Sequence, residues 1–196
     1  GVSYTLNVET EECKLVLKNN APVAAKNITD ADVLKKRIIA GALDTDASFP
    51  SVSSDELAVV YDAGHGNWKD LTYVPNAAEK FLGMHQFGKD GDTEKVRISY
   101  DGNNQYCALN AETKITIVKT ATEMVVDPAS VSVPFGTTVD ALKAEILKNI
   151  TVKDAVSGKA VDVADSDISI EGYDSQKAGE QTVTVSYNGS DSYDSC

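Results

Sequence analysis

The sequence predicts a mainly β chain of two tandem β-sandwich domains, each with a short α-helix inserted after its opening strands. Residues 29–38 and 137–146 align without a gap and share the pattern T-x-[AV]-D-[VA]-L-K-x-x-I. Residues 96–102 and 183–189 then repeat each other in the same order. Alternating runs of β-branched residues accompany both pairs, as strands with one buried face require. One unit used twice indicates an array, and arrays usually hold or space something.

Length, composition and charge narrow the functional classes. A chain of 196 residues is long enough for two domains, and its 42% hydrophobic and 24% charged residues are ordinary for a globular protein. The net charge of −12 would repel nucleic-acid phosphates and anionic lipid head groups. No apolar run approaches the roughly 18 residues that a membrane span needs. We therefore expect no nucleic-acid partner and no direct membrane insertion.

Each unit is predicted to open with two extended segments. The first is a short apolar strand, at 14–17 in unit 1 and at 124–126 in unit 2. The second lies at 22–25 and at 131–134. Both are rich in valine, leucine and alanine, and each precedes the shared helix pattern, so the helix is expected to follow the opening strands.

The helices are predicted to start with capping boxes. Thr29 with Asp32, and Thr137 with Asp140, have the threonine-x-x-acid spacing in which the hydroxyl accepts from an early backbone N–H. Gly41 is expected to weaken or end the first helix. The apolar residues of each helix fall on one face, namely Leu34, Ile38 and Ile39 in the first and Val139, Leu142, Ile146, Leu147 and Ile150 in the second. Each helix should therefore cover a sheet.

Later segments return to β structure. Residues 57–61 and 168–170 have strand composition, and each unit closes with a strand that ends in Ser-Tyr. Asp101-Gly102 and Asn188-Gly189 are hairpin-type dipeptides. In unit 1 that hairpin should lead to a last strand at 113–118.

The domain boundary is predicted near residues 119–122, which gives domains at 1–119 and 120–196. A tyrosine follows the closing strand in each unit, at Tyr106 and at Tyr193. Only three residues follow Tyr193, so we expect the second domain to be truncated before its last strand.

Unit 1 carries an aromatic insertion at about residues 64–92. Between the helix pattern and the closing tyrosine lie 62 positions in unit 1 and 41 in unit 2, so the insertion adds 21 residues. Exposed aromatic rings with nearby amides and acids are typical of sugar-binding surfaces. The insertion supplies such a set, and the candidate ligand-binding residues are Trp68, Tyr73, Asn67 and Asp70.

The alternative is that the aromatic residues of this region form the core of a larger sandwich, since large rings supply much of the buried area of a domain. The residues concerned are Trp68, Phe81 and Phe87. The sequence leaves both interpretations open.

Neither catalysis nor a resident metal is predicted. His65 and His85 lie 20 positions apart without an HExxH or CxxC motif, whereas zinc sites use three or four ligands. No nucleophile elbow, P-loop or dinucleotide fingerprint is present. Residues 90–92 and 162–167 offer acidic oxygens that calcium accepts, although solvated turns are the default interpretation of such segments. We therefore expect no cofactor, with calcium as the one candidate.

The three cysteines cannot all pair within one chain. Cys13 precedes the first predicted strand of unit 1, and Cys107 precedes its last. The first and last strands of such a sandwich can run parallel and adjacent, which makes a Cys13–Cys107 disulfide a candidate. The alternative is three free thiols.

Residues 172–187 resemble the closing half of bacterial immunoglobulin-like domains, which have the form G-[FY]-D-[TS]-x-x-x-G-x-[QY]-T-V-T-V-x-Y. Residues 96–106 are similar to the Y-x-G-[DN]-x-x-Y ending of the same domains, although unit 1 departs from them through its 21 extra residues. The resemblance implies two tandem immunoglobulin-like β-sandwiches. It also implies a module of surface-anchored or secreted bacterial proteins, often adhesins, that acts as a stalk or as a binding unit.

The predicted function is a non-catalytic extracellular module that serves as an adhesion or spacer repeat. Its partners would be a host or matrix protein or a glycan, together with neighbouring repeats of the same parent chain. The alternative is a carbohydrate-binding module that uses the aromatic insertion, which could be accessory to a secreted glycoside hydrolase.

Overall fold

The computed structural model describes residues 3–5, 12–26, 28–74 and 83–196. The chain divides into two compact units, unit 1 at Gly1–Val118 and unit 2 at Lys119–Cys196. The described residues of unit 1 form β1 (Ala21–Ala24), α1 (Ala31–Ala42), β2 (Leu57–Asp62), β3 (Trp68–Asp70), β4 (Thr93–Tyr100) and β5 (Leu109–Val118). Those of unit 2 form β6 (Thr122–Val126), α2 (Val139–Leu147), β7 (Ile150–Asp154), a 3-10 turn (Asp165–Asp167), β8 (Ile168–Glu171) and β9 (Thr184–Tyr187). The fold is mainly β, with several sheets and two helices in these parts of the chain.

Unit 1 is built on a five-stranded sheet in the order β1–β5–β4–β2–β3. β1 runs parallel to β5, and the other neighbours are antiparallel. Thr113, Ile115 and Ile117 of the interior strand β5 are buried, whereas the alternating residues Glu112 and Lys114 point to the other, more exposed face. This alternation follows from the two-residue period of a strand. The segment predicted as the opening strand, 14–17, instead makes isolated bridges to Phe49 and Leu43.

Helix α1 covers the buried face of this sheet. It begins one residue later than the sequence predicted, because the cap is Asp30 and not Thr29. The Asp30 carboxylate accepts from the backbone N–H groups of Asp32 (2.9 Å) and Val33 (3.2 Å). Aspartate accepts more strongly than threonine at this position, which explains the shift.

Gly41 is the next-to-last residue of α1, so the helix ends one residue after the position at which the sequence predicted a weakening or an end. The helix continues to Ala42, and a Cβ at Gly41 would lie 3.0 Å from Val23 Cγ2 and 3.1 Å from the Pro22 carbonyl oxygen. The missing side chain therefore lets α1 approach β1 closely, and this packing offsets the low helix propensity of glycine. The buried core of unit 1 comprises Ala21, Val23, Ala25, Leu34, Ile38, Ile39, Ala42, Leu43, Leu57, Val59, Tyr61, Leu71, Met84, Phe87, Val96, Ile98, Tyr100, Ile115 and Ile117.

Unit 2 contains two antiparallel strand pairs, β6–β7 and β8–β9, with α2 beside them. The cap of α2 is Thr138, whose hydroxyl accepts from the backbone N–H of Ala141 at 3.3 Å, so the predicted cap Thr137 is again one residue early. Thr137 instead donates its hydroxyl to the Pro134 carbonyl at 2.7 Å. Asp30 and Thr138 occupy equivalent positions of the repeat, and both helices begin one residue after them.

The core of unit 2 is small. Val152, Ile168 and Tyr187 are fully buried together, while Leu142 and Ile146 of α2 are the residues that match Leu34 and Ile38 of α1. Residues 131–134, predicted as an extended segment, join no strand. The exposed large apolar side chains of this unit are Val125, Val126, Val131, Phe135, Val139 and Val156.

The turns after β4 and after β9 have the same geometry. Gly102 and Gly189 adopt φ angles of 84° and 82°, values that favour glycine. The backbone N–H of Asn103 donates to the Tyr106 carbonyl at 2.9 Å, and that of Ser190 donates to the Tyr193 carbonyl at 2.9 Å.

Both turns lead into the same kind of strand pairing. In unit 1 the turn brings Leu109 opposite Tyr100. In unit 2 it brings Cys196 opposite Tyr187, and these two residues exchange backbone hydrogen bonds of 2.8 and 3.1 Å. The second repeated segment of the sequence therefore encodes one local structure twice.

Candidate functional site

A tight hairpin between β2 and β3 begins the aromatic insertion. The Asp62 carboxylate accepts from the backbone N–H groups of Gly64 (2.9 Å) and Gly66 (2.9 Å), and the Ala63 N–H donates to the Asn67 carbonyl (2.9 Å). His65 at the tip is exposed and has a positive φ of 57°. Since the turn is fixed by these bonds, it presents Asn67 at its end and Trp68 as the first residue of β3.

Trp68 lies against two cations. The Arg97 guanidinium carbon is 4.1 Å from the centroid of the indole, and the Lys95 ammonium nitrogen is 5.0 Å from it. Both are held in turn by Glu112, which accepts from Lys95 Nζ at 2.8 Å and from Arg97 Nε at 3.1 Å. These are cation–π contacts, in which the negative face of the ring attracts positive charge.

This arrangement lowers the pKa of the Glu112 carboxyl below its ordinary value of 4.5. The hydrogen bond from Lys95 is the largest cause, and the hydrogen bond from Arg97 is the next. Both favour the charged carboxylate. At neutral pH the Glu112 carboxylate, the Lys95 and Arg97 cations and the Trp68 ring therefore form a connected cluster on the outer face of the sheet. The cluster extends from β5 and β4 over β2 to β3.

The four sequence-predicted ligand residues do not all lie on one face. Pairing of β2 with β3 sets Trp68 opposite Asp62 and Asp70 opposite Val60, so Trp68 and Asp70 share the outer face of the sheet. Lys69 lies opposite the buried Tyr61, and its ammonium nitrogen is 4.8 Å from the centroid of the Tyr73 ring. Tyr73 is 43% exposed, but its ring is covered on one side by a residue of the opposite face.

A buried aromatic cluster lies behind this strand. The His85 ring stacks on the Tyr61 ring with centroids 3.7 Å apart, and Phe87 meets His85 edge-on at 4.8 Å. The Tyr61 hydroxyl donates to the Tyr73 carbonyl at 3.1 Å. Of the residues in the core interpretation, Phe87 is buried beside Tyr61, whereas Trp68 is half-buried and Phe81 lies outside the described residues.

Among the residues that the structure describes, no group of three or more His, Cys, Asp and Glu side chains is arranged to hold a metal ion. The acidic loops use their carboxylates on the backbone: Asp92 accepts from the Lys89 N–H at 2.7 Å, and Asp167 accepts from the Ala164 N–H at 3.2 Å. His65 lies in the exposed hairpin, and His85 is half-buried with its ring stacked on the buried Tyr61. Calcium binding stays a prediction.

The three cysteines are free thiols in the structure. Cys13 is half-buried, whereas Cys107 and Cys196 are exposed at the closing turns of units 1 and 2. The Cys13–Cys107 disulfide considered from the sequence is therefore not formed in this structure.

Sequence reasoning missed the partners of Trp68, namely Lys95, Arg97 and Glu112. The alternating charged residues of β4 and β5 indicate one solvent-facing side, but only the strand register sets Arg97 beside Trp68 and opposite Glu112.

Sequence reasoning also missed an apolar groove in unit 2. Its volume is about 930 Å³, and it lies between residues 126–136, α2 and residues 173–185.

Residues 137–193 match the family model of the bacterial Ig-like domain (group 3). This range begins just before α2 and ends in the closing turn of unit 2, and it confirms the resemblance stated from residues 172–187. Domains of this group typically occur in extracellular bacterial proteins and are generally non-catalytic. No curated protein matches the chain. No helix in the described ranges is long and apolar enough to cross a bilayer.

Proposed function

We propose that this chain is a non-catalytic extracellular module of a bacterial surface or secreted protein, in which two tandem immunoglobulin-like units serve as an adhesion or spacer repeat. The observation that carries the proposal is the family match at residues 137–193. It supports a bacterial surface-protein module for unit 2 directly.

The internal repeat extends this proposal to unit 1. Both units have a helix that begins after an equivalent cap, at Asp30 and at Thr138. Both also close with the same glycine turn after a buried tyrosine, Tyr100 in unit 1 and Tyr187 in unit 2. Two matched segments in the same order are expected of a duplicated domain.

The topology of unit 1 suits a spacer. β1 and β5 are parallel neighbours, so the start of β1 and the end of β5 lie at opposite ends of one ladder. Tension that pulls on these two ends would load several hydrogen bonds together instead of opening them one at a time. Burial of Val23, Ile115 and Ile117 beside the ladder adds resistance to the sliding of β1 past β5.

Single-molecule pulling on the intact chain tests the spacer role. We expect two separate unfolding steps, and we expect unit 1 to unfold at the larger force. The step of unit 1 is recognised by its longer released length, since this unit has 118 residues. Loss of any resolvable step for unit 1 would contradict a load-bearing spacer. Saturable binding to one host or matrix protein, with no mechanical resistance, would favour adhesion over spacing.

The second candidate is carbohydrate binding, favoured by the position of Trp68 and Asp70 on the outer face of edge strand β3. A glycan array probes it with the intact chain and with Trp68→Ala, while an unchanged melting temperature verifies the fold. The matched control is Tyr73→Ala, because Tyr73 contacts Lys69 of the other face. A spacer gives no array signal for any of the three proteins, whereas a sugar binder gives one that Trp68→Ala abolishes.

A further inference from the structure

The closing turns of the two units differ at the residue that precedes the glycine. Unit 1 has Asp101 before Gly102, whereas unit 2 has Asn188 before Gly189. Both glycines have positive φ angles, of 84° and 82°. Asn188 is the one asparagine in the sequence that a glycine directly follows. The two turns therefore share one structure, with an acid in unit 1 and the corresponding amide in unit 2.

The side chain and the backbone of this turn are open to reaction in unit 2. Asn188 is exposed. The backbone N–H of Gly189 donates to no acceptor among the residues that the structure describes. Glycine also lacks the Cβ that would hinder the approach of its nitrogen to the preceding side chain. The Gly189 nitrogen is therefore available to attack Cγ, the side-chain carbonyl carbon of Asn188.

We propose that Asn188–Gly189 is a site of spontaneous modification, at which the chain converts its own side-chain amide to an acid. Hydroxide removes the proton of the Gly189 N–H, and the nitrogen forms a bond to Asn188 Cγ. The side-chain amide nitrogen takes a proton from water and leaves as ammonia. Water then opens the succinimide ring, at the Cγ carbonyl to give aspartate or at the main-chain carbonyl to give isoaspartate. The net reaction consumes water and releases ammonia in equal amounts, with no change of oxidation state.

Unit 1 shows that an aspartate fits this turn, because Asp101 holds the equivalent position. The turn of unit 2 is closed by the Ser190 N–H, which donates to the Tyr193 carbonyl at 2.9 Å, and unit 1 has an equal bond. In unit 2 the Oδ1 atom of Asn188 accepts from the Ser169 hydroxyl at 3.1 Å. A carboxylate oxygen accepts the same bond. We therefore expect the aspartate form to keep the structure of the turn.

The isoaspartate form should disturb the turn. It adds a methylene group to the main chain directly before Gly189. A Cβ at Gly189 would already lie 3.0 Å from the Tyr193 carbonyl oxygen and 3.0 Å from the Ser195 nitrogen, so the turn has little space for a longer backbone. The hydrogen bond from Ser190 to Tyr193 should then weaken or break. The two products therefore differ in whether unit 2 keeps its closing turn.

Incubation of the intact folded chain at neutral and at alkaline pH tests the site, with peptide mass mapping at intervals. We expect the peptide of Asn188 to show the replacement of an NH2 group by OH and to accept label from an isoaspartyl methyltransferase. The rate should rise with the hydroxide concentration. It should exceed the rate at the exposed Asn103 and Asn104 by about tenfold or more, because no glycine follows either of them. Hydrogen exchange at the Ser190 amide should become faster in the isoaspartate fraction alone.

Two variants and one condition serve as controls. Asn188→Asp places the aspartate product in the turn, and its Ser190 amide should stay as protected as in the original protein. Asn188→Gln keeps an amide but requires closure of a larger ring, so its reaction should be much slower. Incubation of the original chain in urea gives the rate for the unfolded state.

Each outcome decides the proposal, which does not depend on the adhesion or spacer function. Ammonia loss at Asn188 in the folded chain, with none in Asn188→Gln, supports it. An Asn188 that reacts only in urea overturns it, as does a rate no higher than that at Asn103. Loss of Ser190 protection in Asn188→Asp would overturn the assignment of aspartate as the product that the turn accommodates.

Discussion

Units 1 and 2 share a helix start and a closing turn, but they differ in how much apolar surface those elements bury. In unit 1 α1 lies over a five-stranded sheet, and Ile38 is fully buried. In unit 2 α2 lies beside two strand pairs, and Ile146 borders an open groove. The comparison indicates that the repeated segments determine the local structure. The presence of β5 between β1 and β4 determines whether the apolar faces are buried in a core.

The largest expected difference concerns the matched helix residues Ile38 and Ile146. Ile38→Ala should cost unit 1 about 3–4 kcal/mol of unfolding free energy, since a fully buried isoleucine leaves a cavity. Ile146→Ala should cost unit 2 less, about 2 kcal/mol, because Ile146 is buried but borders the groove, into which its surroundings can relax. Hydrogen exchange on the intact chain, read separately in each unit, measures both values. Equal costs would show that the cores of the two units are alike.

The closing turns give the second comparison. A Cβ at Gly102 would lie 2.8 Å from the Tyr106 carbonyl oxygen, and one at Gly189 would lie 3.0 Å from the Tyr193 carbonyl oxygen, both at positive φ. Gly102→Ala and Gly189→Ala should each destabilise their unit by about 2–3 kcal/mol, with the larger loss at Gly102.

Gly158→Ala is the matched control for the turns. Gly158 also has a positive φ, of 69°, but a Cβ there would meet no atom within 4 Å. Its cost should be about 1 kcal/mol, from backbone conformation alone. Thermal unfolding of the three variants ranks them, and a loss at Gly158 as large as that at Gly102 would disprove the role of close approach.

The helix caps should produce a smaller effect. Asp30→Ala removes two accepted hydrogen bonds and should cost about 1 kcal/mol, whereas Thr138→Ala removes one at 3.3 Å and should cost about 0.5 kcal/mol. Thr29→Ala is the neighbouring control and should change the stability little. Chemical denaturation measures the unfolding free energy of all three variants. A larger loss of stability from Thr29→Ala than from Asp30→Ala would show that Thr29 is the cap, as the sequence predicted.

The smallest expected effect on stability is that of Glu112, whose contacts with Lys95 and Arg97 lie in unit 1. Since folding lowers the pKa of Glu112 below 4.5, its contribution to stability is complete above pH 4.5 and is lost as the pH falls through the folded value. Glu112→Gln should therefore lower the stability of unit 1 slightly at pH 7 and flatten this part of its acid dependence. Urea unfolding between pH 3 and pH 7 measures it, with Glu171→Gln as a control at an exposed acid. An identical pH slope in Glu112→Gln and the original protein would contradict the assignment.

Sequence patterns predicted local elements well and pairings poorly. The stripes at Leu34 and Leu142 place both helices, and valine-rich composition places β2. The predicted cap positions were wrong by one residue, because the threonine of each threonine-x-x-acid pattern is followed by a second residue that can cap the helix, Asp30 or Thr138. The role of Gly41 in packing was not predicted, because its close approach to Val23 is a tertiary contact, which no local propensity contains.

The candidate site was predicted only in part. Aromatic enrichment correctly drew attention to Trp68, but the sequence places Arg97 29 positions away and Glu112 15 beyond that. These side chains meet only through the registers of β3 with β2, of β2 with β4 and of β4 with β5. Register depends on which faces are buried, and a single strand's pattern cannot supply it.

Trp68 has one more consequence. It is the only tryptophan of the chain, it lies in unit 1, and its indole is held against two fixed positive charges. Its fluorescence therefore reports the unfolding of unit 1 without a tryptophan contribution from unit 2, so the chain carries a built-in optical probe of that unit.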